Sequence, residues 1–159
     1  MRIVKAGLAA GLASGALDII AAVTVYPAVY SGSTPIRVLQ SVASGVQGAA
    51  AREGGVPSAM LGLALHFLIA LVFGLVLAAA MSRLAVSQRL WPLTGTVFGV
   101  CVYFFMQKVV LPLSMVPMGQ GPDAKALAIG LAIHVLIFGI PAAFIARHFL
   151  TPGAALPPA

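Results

Sequence analysis

Four ionisable residues stand alone inside long apolar runs of this chain: Asp18, His66, Lys108 and His134. Hydrocarbon penalises such groups, so within a membrane span they face protein or a polar cavity and mark ion pathways, proton relays or ligand sites. Three kinds of chemistry follow from the residue types. A carboxylate beside imidazoles can relay protons or bind a small solute, since imidazole changes charge around neutral pH. Two imidazoles on facing helices at matched height can hold a metal ion or ligate a b-type haem, provided small residues make room. His66 and His134 each follow a glycine, Gly62 and Gly130, by four residues. The third kind is structural: an Asp–Lys or Asp–His pair ties helices together, each interhelical bond contributing about 0.6 to 2 kcal/mol. Ser14, Asp18 and a histidine can be combined on paper into a hydrolase site. The chain has no nucleophile elbow or phosphate loop to support that combination.

These side chains need a scaffold, and the composition says what kind. The 159 residues are 61% hydrophobic and 8% charged, with a mean hydropathy of +1.09. A soluble domain carries about 25% charged residues, so a chain this apolar takes the lipid bilayer as its solvent and partner. The net charge of +6 comes from nine Lys/Arg against three Asp/Glu. The basic residues sit singly beside apolar runs, as headgroup anchors do. With no basic cluster and no interleaved aromatics, nucleic acid is excluded as a partner. Cys101 is the only cysteine, which leaves no internal disulfide and no thiolate metal site.

The expected fold is all-α, a four-helix transmembrane bundle in one integral membrane domain over residues 1–150, with a flexible tail at 151–159. Spans are predicted at about 7–30, 58–81, 91–113 and 125–146. Asp18 interrupts the first apolar run, so that segment reads as a retained helix rather than a signal peptide. Between the first two spans, Ser33-Thr34-Pro35 supplies a capping hydroxyl and a first-turn proline. Ile36, Leu39, Val42, Ala43, Val46, Ala49 and Ala50 then recur at helical spacing. This predicts an interfacial amphipathic helix over about 35–51, lying at the outer headgroups or dipping over the bundle. Arg2, Lys5, Arg83, Arg89 and Arg147 fall on one side, against Arg37, Arg52 and Lys125 on the other. That bias places both termini in the cytoplasm.

Residues 62–69, Gly-Leu-Ala-Leu-His-Phe-Leu-Ile, return at 130–137 as Gly-Leu-Ala-Ile-His-Val-Leu-Ile, with six of eight positions identical. Gly11 and Gly15 match Gly95 and Gly99 in spacing. Together these predict two repeated helix hairpins. At about 1.5 Å per residue, His66 falls roughly 10 Å and His134 roughly 14 Å below the outer boundary. Asp18 falls near mid-membrane, and Lys108 falls near the outer surface. Gly7, Gly11, Gly15 and Asp18 share one stripe of the first span, a seam along which another backbone can approach. Gly62 shares a stripe with His66, and Gly130 with His134. The prediction is a buried polar centre of Asp18, His66, Lys108 and His134, with the glycines packing the helices around it.

The Gly-rich start Gly7-Leu8-Ala9-Ala10-Gly11-Leu12-Ala13-Ser14-Gly15 resembles that of small uncharacterised bacterial inner-membrane proteins, broadly the YagU-like kind. The histidine near the outer end of the second span and the third-span ending Val110-Leu111-Pro112-Leu113 add to the resemblance. So does Arg37-Val38-Leu39-Gln40-Ser41-Val42-Ala43-Ser44-Gly45. The resemblance implies a bacterial inner membrane and four helices, with no catalytic residues to carry over. The expected role is non-enzymatic: proton or small-solute handling as a homo-oligomer or within a larger membrane complex. The alternatives are a haem b or metal-ion subunit ligated by His66 and His134, and a purely structural accessory subunit.

Overall fold

The computed structural model describes residues 1–84, 88–117 and 123–151, and these are helical throughout apart from turns and short connections. Four helices are long and apolar enough to cross a membrane: α1 (Arg2–Val29), α3 (Gly55–Arg83), α4 (Trp91–Leu113) and α5 (Ala124–Leu150). The shortest has 23 residues, enough to cross a hydrocarbon core of about 30 Å at about 1.5 Å per residue. This is the architecture of a multi-pass membrane protein. A shorter helix, α2 (Pro35–Gln47), joins α1 to α3. The expected tail beyond Thr151 and the middle of the 82–90 connection lie outside the described residues.

The helix ends differ from the sequence expectation for physical reasons. α1 starts at Arg2 instead of Gly7, and α5 runs to Leu150 instead of Ala146. Arg and Lys are good helix formers, and their long stems let the helix continue while the charge reaches headgroups. α2 begins where expected: Thr34 is its N-cap, its hydroxyl accepting from the Arg37 N–H at 3.2 Å. It stops at Gln47 rather than 51, because Gly48 takes φ +60 and the chain tightens into a 3₁₀ turn over Gly48–Arg52.

Two wide π turns interrupt the spans, Met106–Val110 in α4 and Ile133–Gly139 in α5. Each precedes a proline, Pro112 and Pro141. A proline ring collides with the carbonyl four residues back and brings no N–H to bond it. Those carbonyls belong to Lys108 and Ile137, each inside its wide turn, so the turns are the local accommodation of the two prolines.

Small residues set the helix packing. α1 and α3 run antiparallel in close contact. A β-carbon on Gly7 would fall 2.7 Å from the Leu75 Cα, on Gly11 2.6 Å from the Ala70 carbonyl oxygen, and on Gly15 2.7 Å from the Ala70 Cβ. From the other side, Gly74 abuts the backbone of Gly7 and Gly11. α4 and α5 meet in the same manner. Gly95 lies against Ile140 and Gly139, and Gly99 against His134 and Val135. Backbones this close gain dispersion contacts that lipid cannot match, which is how membrane helices associate without a hydrophobic driving force. Ala10 of α1 packs with Leu77, Met81, Ala142, Ala143 and Ala146, joining the two pairs in one core.

α2 is fastened across the end of the bundle remote from the termini. Gly62 of α3 leaves room for the Leu39 carbonyl. The Gln40 side-chain N–H donates to the Gly55 carbonyl at 3.0 Å, and the Ser58 hydroxyl donates to Gln47 Oε1. The Met115 N–H donates to the Gly45 carbonyl at 2.9 Å, attaching the chain just after α4.

Candidate functional site

The glycine seam on α1 brings α3 near enough for His66 to reach across. Its Nε2–H donates to the Gly15 carbonyl at 2.8 Å; a carbonyl only accepts, so this bond fixes the ring proton on Nε2. The same nitrogen lies 4.0 Å from Asp18 Oδ2, one helical turn further along α1. Asp18 is 8% exposed. Its other oxygen, Oδ1, is buried without a hydrogen-bond partner among the described residues. Such an atom is costly in a low-dielectric interior and calls for water or a ligand.

His134 approaches from the wide turn of α5. Its Nδ1–H donates to the carbonyl of Gly130 at 2.8 Å, which leaves Nε2 as the nitrogen with a lone pair. Tyr103 of α4 meets the His134 ring edge-on, centroids 5.4 Å apart, and occupies the space that a side chain on Gly130 would take. Asp18, His66 and His134 line one cavity of about 750 Å³, inside the range of about 300 to 1,000 Å³ usual for small-molecule sites. Ile69, Phe73, Val102 and Phe138 form apolar wall, while Tyr30, Ser41, Arg37 and Arg52 line it from the α2 end.

Three of the four ionisable residues singled out in the sequence therefore share this space. Lys108 does not. It is exposed, and its neighbour Gln107 lines the cavity in its place. The placement of Lys108 in the centre rested on depth along the span alone, and depth does not say which face of the helix a residue occupies. Ser14 is fully buried, its hydroxyl without a partner among the described residues, but it does not line the cavity, so no Ser–His–Asp arrangement is assembled there. Gly7, Gly11, Gly15, Gly62 and Gly130 each lie where another helix comes within contact distance.

Among the described residues, no group of three or more His, Cys, Asp or Glu is disposed to hold a metal ion. His66 and His134 reach the same cavity, each with one ring nitrogen committed to a carbonyl. Ligation by the pair would fall to Nδ1 of His66 and Nε2 of His134.

Sequence reasoning missed Arg37 and Arg52, which it read as headgroup anchors, as well as Gln107 and Tyr103. The available signal was on α2, where Arg37 and Ser41 share a side at four-residue spacing. Comparison of the chain with protein-family models, with curated proteins and with solved structures found no match.

Proposed function

We propose that the chain is a non-enzymatic component of a bacterial inner membrane that binds a small solute in the Asp18/His66/His134 cavity and exchanges protons there. The observation that carries this reading is the unpartnered Oδ1 of Asp18, buried at the wall of a 750 Å³ cavity with an imidazole 4.0 Å away. A carboxylate and a neutral imidazole together bear one negative charge. One proton from cavity water makes the pair neutral, as carboxylate with imidazolium or as carboxylic acid with imidazole. Binding a solute at the same place couples its affinity to that proton, by linkage.

The wider setting belongs to the same proposal. The matched histidine segments at 62–69 and 130–137, and the alternation of glycine contacts in the α1–α3 and α4–α5 pairs, support two repeated hairpins. α2 lies in the outer headgroup layer as an amphipathic helix over the mouth, and both termini are cytoplasmic. A bundle of four spans has little room for alternating access, so the working unit is a homo-oligomer or a larger complex.

Reconstitution into liposomes with an internal pH dye tests the reading. The unaltered protein is expected to dissipate a pH gradient, and Asp18→Asn to abolish that flux while keeping its helical circular dichroism and detergent melting. Flux unaffected by Asp18→Asn would sink the proposal. Absence of flux in both proteins, with Asp18→Asn only less stable, would assign the centre to helix packing alone.

A further inference from the structure

The cavity has two features that proton exchange does not use. Arg37 and Arg52, both exposed, line it from α2 and the turn that follows, and among the described residues the one contact between a carboxylate and a basic side chain is Asp18–His66. Neither guanidinium is therefore neutralised by an acid of the described chain. Next to the cavity lies a second space of about 610 Å³ between α3 and α4, lined only by apolar side chains and Cys101. Ile69, Phe73, Val102 and Val110 line both spaces. Phe73, one of these four, meets Phe98 and Phe105 edge-on with centroids 6.3 and 6.0 Å apart.

We propose that the two spaces together form one site for an amphiphilic anion bearing a single hydrocarbon chain. Its acidic head is held by Arg37 and Arg52, and its chain passes Phe73 into the α3–α4 groove. The inference rests on the reading of the cavity as a ligand site and names the class of ligand. Arginine presents a planar fork of donors that matches carboxylate or phosphate oxygens, so two arginines lining a cavity that adjoins an apolar groove select for an acid with a greasy tail. A neutral lipid would not engage the two guanidinium forks, and a small inorganic anion would gain nothing from the groove. One trough holds one chain. Because the groove lies between two spans, the ligand enters sideways from the bilayer rather than from water.

Cys101, the sole cysteine, is exposed and lines the groove, which makes it a reporter. The full chain is placed in phosphatidylcholine nanodiscs and offered radiolabelled oleate, oleyl alcohol or inorganic phosphate. Labelling of Cys101 by a membrane-permeant maleimide is followed in parallel. Oleate should bind saturably and slow the labelling at least fivefold. Oleyl alcohol and phosphate should bind at least tenfold more weakly, as should oleate to the Arg37→Gln/Arg52→Gln variant. Equal binding of oleyl alcohol overturns the role of the arginines, and equal binding of phosphate reduces the site to one for free anions. Unchanged labelling at saturating oleate removes the groove from it. Should the double variant misfold, the three probes on the unaltered protein still decide. Oleate bound without proton flux refutes proton exchange alone, and flux without any effect of oleate on Cys101 refutes this ligand class alone.

Discussion

Asp18, His66 and His134 were legible in the sequence because a titratable residue within an apolar run is conspicuous wherever it faces. Which neighbours they meet was not legible. Arg37 and Arg52 looked like ordinary headgroup anchors, since their approach to the cavity depends on how α2 docks on α3. Lys108 and Gln107 are adjacent in sequence, and of the two it is Gln107 that lines the cavity. The buried hydroxyl of Tyr103, like Oδ1 of Asp18, has no partner among the described residues, but the two atoms carry different expectations. An unsatisfied buried polar group costs about 1 to 3 kcal/mol, so Tyr103→Phe should leave stability unchanged or raise it by up to about 1 kcal/mol in a denaturant titration in mild detergent. A clear loss of stability would mean that the hydroxyl is bonded, by water or by a ligand, and so belongs to the site.

At the scale of elements, glycine is what allows the helices to meet. The seam Gly7, Gly11 and Gly15 was readable as a stripe, but its partner was not, because four-residue spacing says which face is narrow and not what fills it. The structure supplies the partner in Gly74, Ala70 and Leu71 of α3. The contrast between two other glycines tests this account. At Gly62 a β-carbon would run into the Leu39 carbonyl, which is backbone and cannot swing aside. Gly62→Ala should therefore push α2 off α3 and lower stability by about 1 to 3 kcal/mol, as overpacking does. Gly45 sits inside α2 with the nearest outside atom, the Ser114 Cβ, 3.8 Å from where a β-carbon would be. Gly45→Ala should raise stability by about 0.5 to 1 kcal/mol through helix propensity alone. Thermal melts of both variants in one detergent check the pair, and equal effects would show that glycine proximity is not what fastens α2. The wide turns carry a related lesson. Pro112 and Pro141 are plain in the sequence, yet a proline can kink, end or widen a helix, and only packing selects among these.

For the whole molecule, the orientation proposed from Lys and Arg counting has a direct test. A fluorescent protein fused after Thr151 should fluoresce in a bacterial host, whereas alkaline phosphatase at the same place should be inactive; the reverse pattern would invert the bundle and put α2 on the cytoplasmic side. The extent of apolar sequence determined by itself that there are four spans and that the bilayer is the solvent, because backbone in lipid must satisfy its own hydrogen bonds, which a single segment does as a helix, and a helix needs about 20 apolar residues to cross. It also singled out the titratable residues that stand within the apolar runs. Tertiary structure alone decided that three of those residues share one cavity while Lys108 points away, that two arginines from a connecting helix line the same space, and that an apolar groove adjoins it. The reason is one of range. Hydrophobicity acts residue by residue and is written along the chain, whereas a cavity is the space left where helices distant in sequence fail to fill one another's surfaces.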